Sequence, residues 1–178
     1  DSLENEDNQK ANIAMLVSRR VDGIIAAPCG DRPELFEEID KTNAPVILVD
    51  RSFLDSRLPH VTTNNYSGGL TATNNLIRNG HKIIACIQGA KTSVPNKRRV
   101  AGYMDALMKA GLEENAIVVG NDFSIQNGYL ETKLLLNSSP RPTAIFALSN
   151  TIGLGAIKAI REAGIRIPED ISLIAYDD

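Results

Sequence analysis

Residues 142–178, PTAIFALSNTIGLGAIKAIREAGIRIPEDISLIAYDD, decide the fold of this chain. The apolar run 143–148 has the length and β-leaning character of a strand, and Ser149 and Asn150 are residue types that cap helices. Ile152, Ala156, Ile157 and Ile160 then recur at helical spacing, Gly164 is placed to end the helix in a left-handed cap, and Pro168 enforces the stop. A second, almost wholly apolar run at 171–176 reads as a strand buried on both faces of a parallel sheet, and it ends on Asp177 and Asp178. In open parallel sheets ligands bind beyond the carboxyl ends of the strands, which puts Ser149, Asn150 and Asp177 on one rim.

The same alternation runs outward to the amino terminus. It predicts a helix over 8–18, a buried strand over 21–27 and a helix over 33–41 with Pro33 in its first turn, where the missing N–H costs nothing. A strand over 45–49 ends on Asp50 and Arg51; a loop over 52–59 and a short strand over 60–62 follow. Thr63, Asn64 and Asn65 supply caps for a helix over 66–79 that Gly80 closes. Next come a strand over 82–88, a polar loop over 89–96, a helix over 97–110 with Arg99 in its first turns, a strand over 117–119, a polar loop holding Phe123, and a helix over 127–136. Alternating strands and helices without linker or tandem repeat imply an α/β, doubly wound parallel sheet with right-handed crossovers. The chain opens inside a helix and stops at a strand end, which reads as an incomplete segment of a longer protein.

Composition excludes several functions. A net charge of -3 and a pI near 5.5 leave no basic surface for nucleic acid, so any DNA contact must come from outside this chain. No run is long enough to span a bilayer, and no secretory leader opens the chain. The two cysteines, Cys29 and Cys86, lie at or near strand ends, where small buried thiols are common. His81 follows the helix closed by Gly80, where a partial positive charge suits the dipole, and neither it nor His60 has metal-ligand company. Asn65-Tyr66-Ser67 fits a glycosylation sequon, a short pattern without a secretory context. Nucleotide loops G-x-x-x-x-G-K-[ST] and G-x-G-x-x-G and the elbow G-x-S-x-G are missing. Asp177 and Asp178 could hold Mg²⁺ in an enzyme, but adjacent residues at a strand end diverge. Neither enzyme, cofactor nor metal is therefore expected.

Several stretches taken together are specific: VDGIIAAP, APVILVDRS, NNYSGG, LIRNGHKIIACIQG, RRVAGYMDALMKAGL, DFSIQNGY and the closing GIRIPEDISLIAYDD. In order and spacing they closely resemble the LacI/GalR family of bacterial transcriptional regulators, over most of its effector-binding part. That part shares its fold, periplasmic-binding-protein-like type I, with periplasmic sugar-binding proteins, and the phrase IPEDISLIAYDD favours the regulators.

The resemblance implies two α/β lobes facing across a cleft, 1–63 in the first and 64–178 in the second, with a crossover near Asn64. A sugar or related small metabolite such as a nucleobase would close the cleft. The family's helix-turn-helix, its first core strand and its return to the first lobe have no counterpart here. The implied partners are this effector, operator DNA through the absent helix-turn-helix domain, and a second copy in a homodimer, with no membrane; such a regulator works in the bacterial cytoplasm.

Residue by residue, the resemblance makes Asp50 an acceptor and Arg51 a forked donor for ring hydroxyls. The residues alone also allow Asp50 to cap a loop and Arg51 to be a solvated arm. Arg99 matches the arginine of the family's R-x-x-G-[YFW] motif, with Arg98 as a surface charge. Phe123 matches the aromatic that stacks on the ligand. Asp177 matches an acid that accepts from ligand hydroxyls, with Asp178 supporting the loop. Ser149-Asn150 stands where many relatives have Asn-Asp, and Pro95 where relatives often place a polar contact; both departures alter the hydrogen-bonding pattern. A periplasmic sugar receptor of a transport system is the alternative, with the same cleft residues.

Overall fold

The computed structural model describes residues 2, 5–30, 32–42, 44–53 and 56–177, so the supporting role given to Asp178 lies outside the described residues. The elements are α1 (Glu6–Ser18), β1 (Ile24–Ala26), α2 (Glu34–Asp40), β2 (Val46–Val49), β3 (His60–Val61), α3 (Asn65–Arg78), β4 (Ile84–Ile87), α4 (Val94–Lys109), β5 (Ile117–Val119), α5 (Ile125–Leu136), β6 (Ala144–Ala147), α6 (Asn150–Glu162) and β7 (Ser172–Ala175). All strand pairs among them are parallel. Contacts divide the chain into two compact units, Asp1–Thr63 with Thr92–Val94, and Asn64–Lys91 with Pro95–Asp178.

In the first unit the strand order is β1-β2-β3. Ile13 of α1 and Phe36 and Ile39 of α2 pack on Ile24, Val46 and Leu48, which share one face of the sheet. Side chains alternate across a strand. The opposite face therefore carries Ile25, 74% exposed, with Ile47 and Val61 also exposed. This corrects the reading of 21–27 as a buried strand: only Ile24–Ala26 pairs, and only one of its faces is covered. Gln9 of α1 holds the turn after β1, accepting from Cys29 N at 2.8 Å and donating to Cys29 O at 3.2 Å.

The second unit is a four-stranded sheet in the order β5-β4-β6-β7 with both faces covered. Leu76 of α3 and Tyr103 and Leu107 of α4 pack on Ile84, Cys86, Ala144 and Phe146. Leu135 of α5 and Ile152 and Ile160 of α6 pack on Ala85, Ile87, Ile145 and Ala147. The central strands β4 and β6 are buried throughout. β7 is not: it lies at the edge of the sheet and is half-buried to exposed, which corrects the reading of 171–176 as buried on both faces. An apolar run records that a strand meets the core, not how many neighbours it has.

Local chemistry sets the helix ends. The side chains of Asn64, Ser124 and Ser149 accept from the N–H three residues on and cap α3, α5 and α6. α4 begins at Val94, earlier than predicted, because Pro95 fits a first helical turn as well as a loop. Tyr103 ties β4 to β5, its buried hydroxyl donating to Ile84 O at 2.7 Å and accepting from Ile117 N at 2.9 Å. His81 does more than finish α3: its ring bonds Thr143 Oγ1 and Ser172 Oγ, both at 2.9 Å, and so joins the starts of β6 and β7. Cys29 and Cys86 are both buried and free, and burial pushes the Cys86 thiol pKa up.

Candidate functional site

From β4 the chain passes to β5 on one side and later returns to β6 on the other, so adjacent strands β4 and β6 send their loops to opposite faces. Such a topological switch point opens a crevice at the carboxyl ends of the strands. In the second unit that rim is formed by Gln88 and Gly89 after β4, residues 120–124 after β5, Leu148 and Ser149 after β6, and Tyr176 and Asp177 after β7.

Arg99 anchors the rim and is itself only 6% exposed. Its place is set by close helix packing: a Cβ on Gly69 of α3 would fall 2.2 Å from Arg99 O, so the backbones of α3 and α4 touch there. From that position Nε donates to Asn65 Oδ1 at 2.8 Å and Nη1 to Leu148 O at 2.6 Å. The guanidinium lies 3.5 Å above the centre of the Tyr176 ring, and Nη1 stands 3.7 Å from Asp177 Oδ2. The arginine thus links the start of α3, the end of β6 and the end of β7, and holds the Asp177 carboxylate beside a fixed positive charge. Asp177 has φ +70°, a left-handed conformation that Asp tolerates better than most residues.

Phe123 is half-buried, and its ring lies directly over the Gly89 backbone, where a Cβ would come within 2.1 Å of Cε1. Its carbonyl accepts from Thr151 Oγ1. That bond uses the threonine's single hydroxyl proton, so Ser149 Oγ is the donor in its 2.9 Å contact with Thr151 Oγ1. Ser149 Oγ also accepts from Ile152 N at 3.2 Å. Ser149 thus caps α6 and helps hold the Phe123 loop, while Asn150, exposed in the first turn of α6, accepts from Thr151 N through its side chain.

A set of amides completes the rim. Asn96, buried in the first turn of α4, accepts from Gly89 N at 2.8 Å and donates to Gln88 Oε1 at 3.2 Å. Asn127 donates to Gln88 O at 3.0 Å and Asp122 O at 2.6 Å. The sequence does not mark Gln88, Asn96, Asn127, Tyr176 or Thr151 as site residues, and it marks Asn65 only as a cap and a sequon. Pro95 is the available signal for Asn96, since a helix with that proline in its first turn has Asn96 there too. Asn65 also leaves the sequon without support: it is buried and accepts from Arg99.

Arg99, Phe123, Ser149, Asn150 and Asp177 thus share one unit, with Arg99 and Asp177 in direct charge contact. Asp50 and Arg51 belong to the other unit, past the end of β2. Asp50 has φ +64°, its N–H bonds Val61 O at 3.0 Å, and its carboxylate lies 3.8 Å from Arg51 Nε. The rim of the second unit offers a carboxylate acceptor, amide groups and an aromatic face. No group of three or more His, Cys, Asp or Glu among the described residues could hold a metal ion. No helix among the described residues is long and apolar enough to cross a membrane.

Comparison with known proteins agrees with this architecture. The family model described as periplasmic binding proteins and sugar binding domain of LacI family matches residues 2–178. The HTH-type transcriptional repressor PurR of Actinobacillus pleuropneumoniae serotype 3 is 34% identical over 179 residues, covering 99% of this chain and 53% of the repressor. Its namesake in Vibrio atlanticus is 36% identical over 176 residues, covering 97% of this chain and 52% of the repressor. The crystal structure of a putative ribose operon repressor from Burkholderia thailandensis superimposes with a TM-score of 0.84 at 29% identity, covering 98% of this chain and 65% of that one. The chain spans about half the length of the curated relatives it matches. It belongs to the family of periplasmic binding proteins and LacI-type sugar-binding domains, and has their periplasmic-binding-protein-like fold.

Proposed function

We propose that this chain is the effector-sensing part of a LacI-type transcriptional regulator, binding a sugar or related small polar metabolite and performing no chemistry. The observation that carries the reading is the rim of the second unit, where Arg99 holds the Asp177 carboxylate after one strand and the Phe123 ring is seated on Gly89 after another. A carboxylate accepts from hydroxyls, and an aromatic face receives the polarised C–H edge of a sugar or the plane of a base. The two compact units would be the lobes of the domain, 1–63 and 64–178. Asp50 and Arg51 would supply contacts from the first.

Ligand binding would shift the balance between lobe orientations, and with it the DNA affinity of the whole protein. With a net charge of -3 in this chain, operator contact is assigned to a helix-turn-helix outside these residues. The relatives named as transcriptional repressors favour the regulator over a periplasmic receptor. A homodimer acting in the cytoplasm is part of the same proposal; Leu130 and Leu134, exposed one turn apart on α5, offer apolar surface to a second copy.

The test is a thermal-shift screen of the full-length protein against D-ribose, D-glucose, their phosphates, adenine and guanine. Stabilisation by one of them supports the sensor reading. A folded protein that none of them stabilises counts against it.

A further inference from the structure

We infer that Gln88 is a ligand-contacting residue, presenting its side-chain NH₂ to a hydrogen-bond acceptor of the effector. The inference rests on the sensor reading above and adds a donor to a rim whose proposed acceptor is the Asp177 carboxylate. Gln88 is the first residue past β4, on the switch-point crevice, and is 8% exposed. Its orientation is forced by a chain of bonds that begins in the backbone. Gly89 N–H can only donate, so the Asn96 atom facing it at 2.8 Å is the carbonyl oxygen. Asn96 must then turn its NH₂ toward Gln88, and the Gln88 atom receiving it at 3.2 Å is Oε1. The Gln88 NH₂ is left pointing away from Asn96.

That NH₂ has no acceptor among the described residues. It is not sealed in the core either, because the one enclosed side-chain polar atom without a partner among the described residues is Thr132 Oγ1. A nearly buried amide at the strand end, with its oxygen committed and its NH₂ neither partnered nor enclosed, is a donor waiting for an acceptor. The backbone of Gln88 is equally fixed, its N–H bonded to Val119 O at 2.8 Å and its carbonyl to Asn127 Nδ2 at 3.0 Å. Such preorganisation removes most of the ordering cost of the contact. The acceptor it suits is neutral: a hydroxyl or ring oxygen of a sugar, or a carbonyl or ring nitrogen of a base.

The test compares wild type with Gln88→Glu and Gln88→Met in the full-length protein, by calorimetric titration with D-ribose, D-glucose, their phosphates, adenine and guanine. Gln88→Glu keeps the oxygen that accepts from Asn96 and removes the donor; Gln88→Met keeps the length without polarity and carries the test if the buried acid impairs folding. The expected result is that the dissociation constant of the bound compound rises about tenfold in either variant, the loss of one well-placed hydrogen bond, while the ligand-free melting temperature moves by only a few degrees. A compound bound equally by wild type and the folded variants overturns the Gln88 assignment and leaves the sensor reading standing. A wild-type protein that binds none of the panel overturns both together.

Discussion

Replacing Gly89 with alanine tests the seat of the aromatic ring. The new Cβ would lie 2.1 Å from Phe123 Cε1, 2.3 Å from Cζ and 2.4 Å from Cδ1. Carbon atoms rest at about 3.5–4.0 Å, so the ring must retreat by roughly 1.5 Å or swing away. The Phe123 backbone stays, because Thr151 Oγ1 donates to its carbonyl and Ser124 Oγ caps α5. Full burial of a phenylalanine is worth about 1.5–3 kcal/mol, and this ring is half-buried, so about 1 kcal/mol is lost on displacing it. The stiffer unfolded chain returns about 0.4–1 kcal/mol of that. The ligand-free melting temperature should therefore fall by no more than about 4 °C.

Binding should suffer more, since the ligand loses its aromatic platform. A loss of about 1.4 kcal/mol is tenfold in affinity, and that is the minimum expected by calorimetry with whichever sugar or purine stabilises the wild type. Adding Phe123→Ala to Gly89→Ala should cost little further affinity, because the ring has already left. Wild-type affinity in Gly89→Ala, or affinity losses that simply add in the double variant, would refute the placement of the ring over Gly89.

Arg99→Met removes the bonds to Asn65 Oδ1 and Leu148 O together with the stack on Tyr176; charged hydrogen bonds contribute roughly 1.5–3 kcal/mol each, so urea denaturation should show a loss of about 3 kcal/mol, and a loss under about 1 kcal/mol would contradict its anchoring role. Thr132→Val replaces a buried hydroxyl that has no partner with a methyl of similar size, and should raise stability by about 1 kcal/mol in the same measurement. The Asp170 carboxyl is lowered to about 2, first by its side-chain bond to Arg166. A lowered carboxyl pKa stabilises the fold above its unfolded value of about 3.9, and the contribution disappears as pH falls toward 2. NMR titration should place the Asp170 midpoint near 2 in the wild type and move it up toward that ordinary value in Arg166→Gln.

The β6–α6 region was legible because its signals are local and agree: an apolar run, a Ser-Asn pair at the cap, helical spacing, and Gly164 at the end with φ +70°. The burial of β7 and of Ile25 was not, because it depends on which elements lie alongside a strand, and composition is the same for a central strand and an edge. The start of α4 was misplaced because Pro95 is compatible with a loop and with a first turn. Within the candidate site, the residue types at Arg99, Phe123 and Asp177 could be matched to a family pattern. What Arg99 does could not, since its partners Asn65 and Leu148 lie 34 and 49 residues away. The orientation of the Gln88 amide was further out of reach, being decided by a backbone N–H acting through Asn96.

The most direct test of the proposal that this chain senses a small polar effector through the Asp177 rim is thermal stabilisation of the full-length protein by the sugar and purine panel, wild type against Asp177→Asn. Asparagine tolerates the left-handed backbone at this position and removes only the carboxylate, so the variant should fold as the wild type does. Ligand at a hundred times its dissociation constant stabilises a folded protein by about 2.7 kcal/mol. The predicted result is such a shift with at least one panel member in the wild type and its loss in Asp177→Asn. A shift of equal size in both proteins, or none in a folded wild type, would contradict the account.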